Sequence, residues 1–300
     1  MNPLLPVFVL TISSISWGLT WLPLKYFHGI GINGVSLVFL AYGIGALALL
    51  PVFIKQAPQW RNNRRTVILI AVLGGYSNLA FSYSMIYGDV VRAMVLFYLC
   101  PVWATLGGRF FLKENVDALR WLGVGLALFG AALIVGAFNL ALFSFTFVDF
   151  VAVSAGFAFA MTNVTFRAYA QMPIASNVAA VFFGCTAMAG GLIIFGVAPP
   201  PYVEFEHLTA IAAYGVFWIL VASMASQWAV TQMEASRSAV IIVMELVAAA
   251  VSSAWIGGNA LTMTEIFGGL LVVSATLLET TRPALPNKAI PAPVSKLPND

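Results

Sequence analysis

Glu245 stands about halfway along an apolar run, 237–256, where a carboxylate has no obvious solvent. A charge at bilayer depth costs about 2.5–3.5 kcal/mol on insertion scales, so it needs a reason to be there. Two chemistries fit. As a titrating group it takes a proton or a substrate amine; as a protonated carboxyl it donates to a backbone carbonyl and serves no ligand. Ser238, Ala249 and Ser252 fall on its helical face, which is small and polar enough to line a cavity. Tyr76, Ala80, Tyr83 and Tyr87 share one face of the run 66–87, with Asn78 and Ser82 on another. Aromatic rings hold an apolar side chain, and their π faces attract an ammonium group by about 0.5–2 kcal/mol. Tyr98 shares a stripe with Met94, Pro101, Thr105 and Gly108. Trp17 follows Ser13, Ser14 and Ser16, and Trp228 follows Gln227. The amides of Asn78 and Asn163 are suited to orienting a zwitterion.

Catalysis asks for clustered titratable groups. The two histidines, His28 and His207, fall in loops, and Glu245 is the single carboxylate at depth. No catalytic, metal-ligating or cofactor-binding set is expected. Cys100 and Cys185 fall inside apolar runs and give no disulfide framework. The N-terminus carries neither the basic segment nor the small-residue site of a removable signal peptide.

The elements that position these residues follow from composition. The chain is 61% hydrophobic and 8% charged, with mean hydropathy +0.95. A soluble domain carries about 25% charged residues, so lipid must be the solvent. Spanning chains satisfy every backbone group internally, as helices or closed barrels. The runs here are continuous and about twice the length of a barrel strand, so an all-α integral membrane fold is expected.

Ten runs can be marked: 5–25, 33–54, 66–87, 91–112, 118–137, 147–167, 174–197, 208–232, 237–256 and 262–280. Of the fourteen Lys and Arg, twelve then fall on the side of the termini, leaving Lys25 and Arg92 opposite. The positive-inside rule puts both termini in the cytoplasm. The basic loop Lys55–Arg65 is the strongest marker. The net charge of +3 records orientation and gives no reason to expect a nucleic-acid partner.

Sliding the chain by 145 residues lays Asp89 and Arg92 on Glu234 and Arg237, and Gly123 on Gly268. This argues for a duplication: five helices over 1–137, five over 147–280, and a proline-rich, disordered cytoplasmic tail over 281–300. An odd number of spans inverts the second half, and such repeats place a substrate site at their interface near the midplane. Pro101 should bend the fourth helix. Gly123, Ala127 and Ala131 form a small-residue seam for close packing within the chain or for a weak homodimer.

Ser16-Trp17-Gly18 ahead of Lys25, the segment Tyr98-Leu-Cys-Pro101-Val-Trp103, Lys113-Glu114 and Gly123 resemble the EamA family of drug/metabolite transporters, over roughly residues 5–280. Tyr98-x-x-Pro101 and the aromatic stripe are most similar to YddG-type exporters of aromatic and other amino acids. The resemblance implies ten helices in two inverted halves in a bacterial inner membrane. It implies export of amino acids, aromatic and other apolar ones, by alternating access with broad specificity; efflux of cationic drugs or other small metabolites, or a nucleotide-sugar-type exchange, are the alternatives. The implied substrate-binding residues are Trp17, Tyr76, Asn78, Tyr83, Tyr98, Asn163, Trp228 and Glu245, with Pro101 and Gly18 as hinges. The chain departs from the family pattern at Leu246, where a mid-helix proline is expected, and at Asn259, the offset partner of Glu114.

Overall fold

The computed structural model describes residues 4–87, 90–135, 146–257 and 261–281. Asp89, Asn259, the side chain of Arg92, most of the segment 138–146 and the tail beyond 281 lie outside them. In chain order the helices are α1 (Leu4–Gly18), α2 (Trp21–Gly29), α3 (Gly34–Lys55), the short α4 (Ala57–Trp60), α5 (Arg64–Tyr87), α6 (Val90–Phe97), α7 (Cys100–Phe111) and α8 (Ala118–Ile134). There follow α9 (Phe147–Ala168), α10 (Ile174–Ile194), α11 (Phe205–Ala213), α12 (Val221–Gln232), α13 (Ala235–Ile242), α14 (Met244–Gly257) and α15 (Met263–Thr280). A π-helical turn, Tyr214–Leu220, joins α11 to α12.

Eight helical stretches among the described residues are long and apolar enough to cross a membrane, and α8 is a shorter apolar helix. The expected fourth span differs from its sequence reading. It is two short helices, α6 and α7, because Pro101 has no N–H for the Phe97 carbonyl and the ladder breaks at Tyr98–Leu99. Many large apolar side chains face outward, among them Phe110, Phe147, Phe217 and Trp255, each at least 69% exposed. Lipid is the solvent that suits them.

Boundaries recur at the 145-residue offset. α6 and α13 start and stop in register, and α5 and α12 end at Tyr87 and Gln232. The caps recur too. Asp117 accepts from the Arg120 amide to start α8, and Thr262 accepts from the Glu265 amide to start α15. Packing follows the same plan: α9 lies against α5, α6 and α7 as α1 lies against α12, α13 and α14. α8 and α15 pack along their small residues. A side chain added at Gly130 would strike the Gly268 carbonyl, and one added at Gly268 would strike that of Gly130. Ala127 and Ala131 are buried in this seam, so its use in the structure is intramolecular.

Candidate functional site

A cavity of ≈ 170 Å³ lies within the bundle. An apolar cavity of about 150 Å³ holds a benzene ring, so an aromatic side chain is the right size for it. α5 contributes Gly74, Ser77, Asn78 and Phe81, spaced to share one face. α9 adds Phe159, Thr162, Asn163 and Phe166, and α12 adds Ser223, Ser226, Gln227 and Val230. Ser14 and Trp17 come from α1, Tyr42 from α3, Phe182 from α10. Phe97 and Ile242, the last residues of α6 and α13, complete the wall with Glu245 from the first turn of α14. Both broken helices therefore present their breaks to the cavity.

Glu245 is the one carboxylate among these lining residues, and no Lys, Arg or His among the described residues accompanies it. Buried Tyr98 neighbours Glu245, and its hydroxyl has no hydrogen-bond partner among the described residues. Asn78 is braced: it accepts from the Tyr42 hydroxyl at 2.7 Å and donates to the Gly74 carbonyl at 2.8 Å. Asn163 has no side-chain hydrogen bond among the described residues. The Gln227 side-chain NH₂ is buried and also without an acceptor there. An aromatic wall, one carboxylate and free amide groups suit an amphipathic molecule carrying an amine.

Of the residues singled out in the sequence, Trp17, Asn78, Asn163 and Glu245 line the cavity. Tyr98 reaches it through Glu245. Tyr76, Tyr83 and Trp228 do not line it. Tyr76 is 37% exposed and shares a 2.7 Å hydrogen bond with Ser154, and Tyr83 packs on Tyr87. The aromatic stripe of α5 thus points away, and the face holding Asn78 looks inward. Ser238 and Ser252 hydrogen-bond to carbonyls of their own helices instead of lining the cavity, and Ser252 also accepts from the Trp21 indole at 2.9 Å. Gly18 lies against the Glu245 carbonyl and Ala248, where a Cβ has no room. Tyr42, Phe81, Phe97 and Phe159 were missed. The inward spacing of Ser77, Asn78 and Phe81 could have found Phe81; nothing in the sequence marks Tyr42.

The end of the bundle near Lys55–Arg65 is packed with apolar side chains. Val7, Leu10, Val67, Ile70, Met172 and Met233 form a buried cluster there. Beside it Arg120, 2% exposed, pairs with Glu234 and approaches Glu279 at 3.9 Å. The Ala235 amide donates to Glu114 at 3.1 Å, Arg237 to the Thr280 carbonyl at 3.1 Å, and Arg167 to the Thr231 carbonyl at 2.7 Å. Burial raises the Glu114 carboxyl above the usual range, the Ala235 amide working against it. This ionic layer ties α8 and the loop before it to α13 and α15.

Residues 4–136 match the EamA-like transporter family. The chain is 24% identical over 280 residues to the uncharacterized transporter YoaV of Bacillus subtilis (strain 168), covering 89% of this chain and 94% of that protein. A solved crystal structure at 17% identity superposes with a TM-score of 0.73 over 92% of this chain and 98% of that one, a likeness of fold alone. The sequence matches support a multi-pass membrane protein with a transporter role, and favour transport over catalysis.

Proposed function

We propose that this chain is an inner-membrane exporter of amino acids, aromatic and other apolar ones, working by alternating access between two inverted five-helix halves. The ten spans of the sequence reading, with α6–α7 as the fourth and both termini cytoplasmic, are part of the same proposal. So is a chain acting as a monomer or weak homodimer among membrane lipids. The observation that carries the reading is the ring-sized cavity bearing a single carboxylate and free amides. Glu245 pairs with the ammonium group, Phe81, Phe97 and Phe159 hold the side chain, and Asn163 takes the carboxylate. Trp17 and the braced Asn78 shape the wall. Gly18 and Pro101 sit where α1 meets α14 and where α6 meets α7, the joints that a rocking half would flex. Apolar pockets separate substrates differing by a methylene by only about 1–3 kcal/mol, which supports broad selectivity.

A second reading, efflux of amphipathic cationic amines, is favoured by one feature: among the described residues Glu245 has no cation beside it in the lining. Proteoliposomes loaded with labelled phenylalanine or with a labelled aromatic amine separate the two. Phenylalanine flux that falls at least about tenfold in Glu245→Gln supports the first, since losing a charge-assisted hydrogen bond costs about 1.5–3 kcal/mol. Flux of the amine alone supports the second. Absence of both fluxes from the wild type rejects the transport reading of the cavity.

A further inference from the structure

The seven-residue π-helical turn Tyr214–Leu220 sets the register in which α12 enters the bundle. From there Ser223, Ser226, Gln227 and Val230 run down the cavity wall at helical spacing. Gln227 differs from the other amide at this depth whose contacts are complete. Asn78 is held at both ends, whereas Gln227 is 3% exposed and its side-chain NH₂ has no acceptor among the described residues. A buried donor left unpaired is costly, and with neither end of the amide hydrogen-bonded among the described residues the side chain can turn that donor to an acceptor in the cavity. Among the described residues no Lys or Arg lines the wall to take an anion. A carboxylate bound there must therefore be held by neutral donors, and of the three lining amides Gln227 is the most buried.

We infer that Gln227 is a specificity-determining residue: its amide donates to the substrate's carboxylate beside Asn163, so the site takes α-amino acids in preference to the matching amines. This rests on the amino-acid reading of the cavity. The physical logic is asymmetric. A site built around a hydrogen bond rejects the analogue lacking that group, because its own buried donor then stays unpaired. Phenethylamine keeps the ring and the ammonium of phenylalanine and lacks only the carboxylate, so the ratio between the two isolates this contact.

The test is counterflow in proteoliposomes, with half-saturating concentrations measured for phenylalanine and phenethylamine. Wild type should favour phenylalanine by about tenfold or more. Gln227→Leu should weaken phenylalanine by about tenfold, leave phenethylamine within about twofold and bring the ratio towards one. Gln227→Glu keeps the size and exchanges the donor for an acceptor. It should invert the preference and keeps the proposal testable if the leucine variant does not fold. A ratio unchanged in both variants, or equal loss of both ligands, overturns the role of Gln227 and leaves the transport reading standing. A wild type that exchanges phenethylamine and no amino acid overturns both.

Discussion

α6 and α7 part at Tyr98–Leu99, and α13 and α14 part at Val243, the position 145 residues beyond Tyr98. In the first break Pro101 has no N–H to offer, and the freed Phe97 carbonyl is seated against Gly156 of α9. In the second, Leu246 keeps its N–H but gives it to the Val243 carbonyl at 3.0 Å, so Ile242 loses its helical donor without any proline. Gly18 of α1 abuts the same turn, at the Glu245 carbonyl. The freed carbonyls belong to Phe97 and Ile242, the two residues that bring these helices to the cavity wall. The breaks therefore belong to a place in the fold, where a partner helix with a close-approaching glycine accommodates irregular backbone. Proline reinforces one of them and is dispensable to the other.

The two arms also differ in how firmly they are pinned. α13 is held at its start by the Arg120–Glu234 pair and by Glu114 on the Ala235 amide. Arg120→Ala should show the largest effect, a loss of about 3–5 kcal/mol, because it strands buried carboxylates. Thermal unfolding in detergent measures it, and an unchanged midpoint would mean that the layer carries no net stability. Gly156→Val and Gly18→Val come next, each costing about 1–3 kcal/mol by overpacking. Similar losses in the two sharpen the equivalence of the breaks. A loss confined to Gly156→Val would make the second break an incidental bend.

Leu246→Pro is the finer probe. A proline inside an intact helix costs about 3 kcal/mol. Here the bond to Ile242 is already absent, so it should cost at most about 1 kcal/mol more than Leu246→Ala. The full interior penalty would contradict the break. Pro101→Ala should be the mildest, changing stability by about 1 kcal/mol or less and slowing counterflow while transport persists.

Much of the fold was legible because lipid leaves a sequence few options. Long apolar runs gave the helices, and the offset between Asp89 and Glu234 pointed to boundaries and caps that do recur at α6 and α13, Asp117 and Thr262. The site was half legible. Glu245 declared itself by its charge, and Asn163 and Trp17 by polar neighbours within apolar runs. The tyrosines of α5 misled because aromatic residues pack against lipid and neighbouring helices as readily as they line cavities. The inward face was marked by small residues and Asn78, a weaker signal than a row of rings. Tyr42 and Phe159 take their place from how α3 and α9 rotate in the bundle, which no local pattern encodes. The break at Val243 carries no proline or glycine to announce it.

The claim on which the account turns is that substrate occupies the cavity between α1, α5, α9 and α12. Ser223→Trp fills that space from the wall and leaves Glu245 and Gln227 themselves unsubstituted. The decisive measurement is phenylalanine counterflow in proteoliposomes by wild type and by this variant, with the variant's folding verified by its unfolding midpoint. The account predicts accumulation by wild type and its abolition by a folded Ser223→Trp protein. Undiminished accumulation in that variant would contradict it.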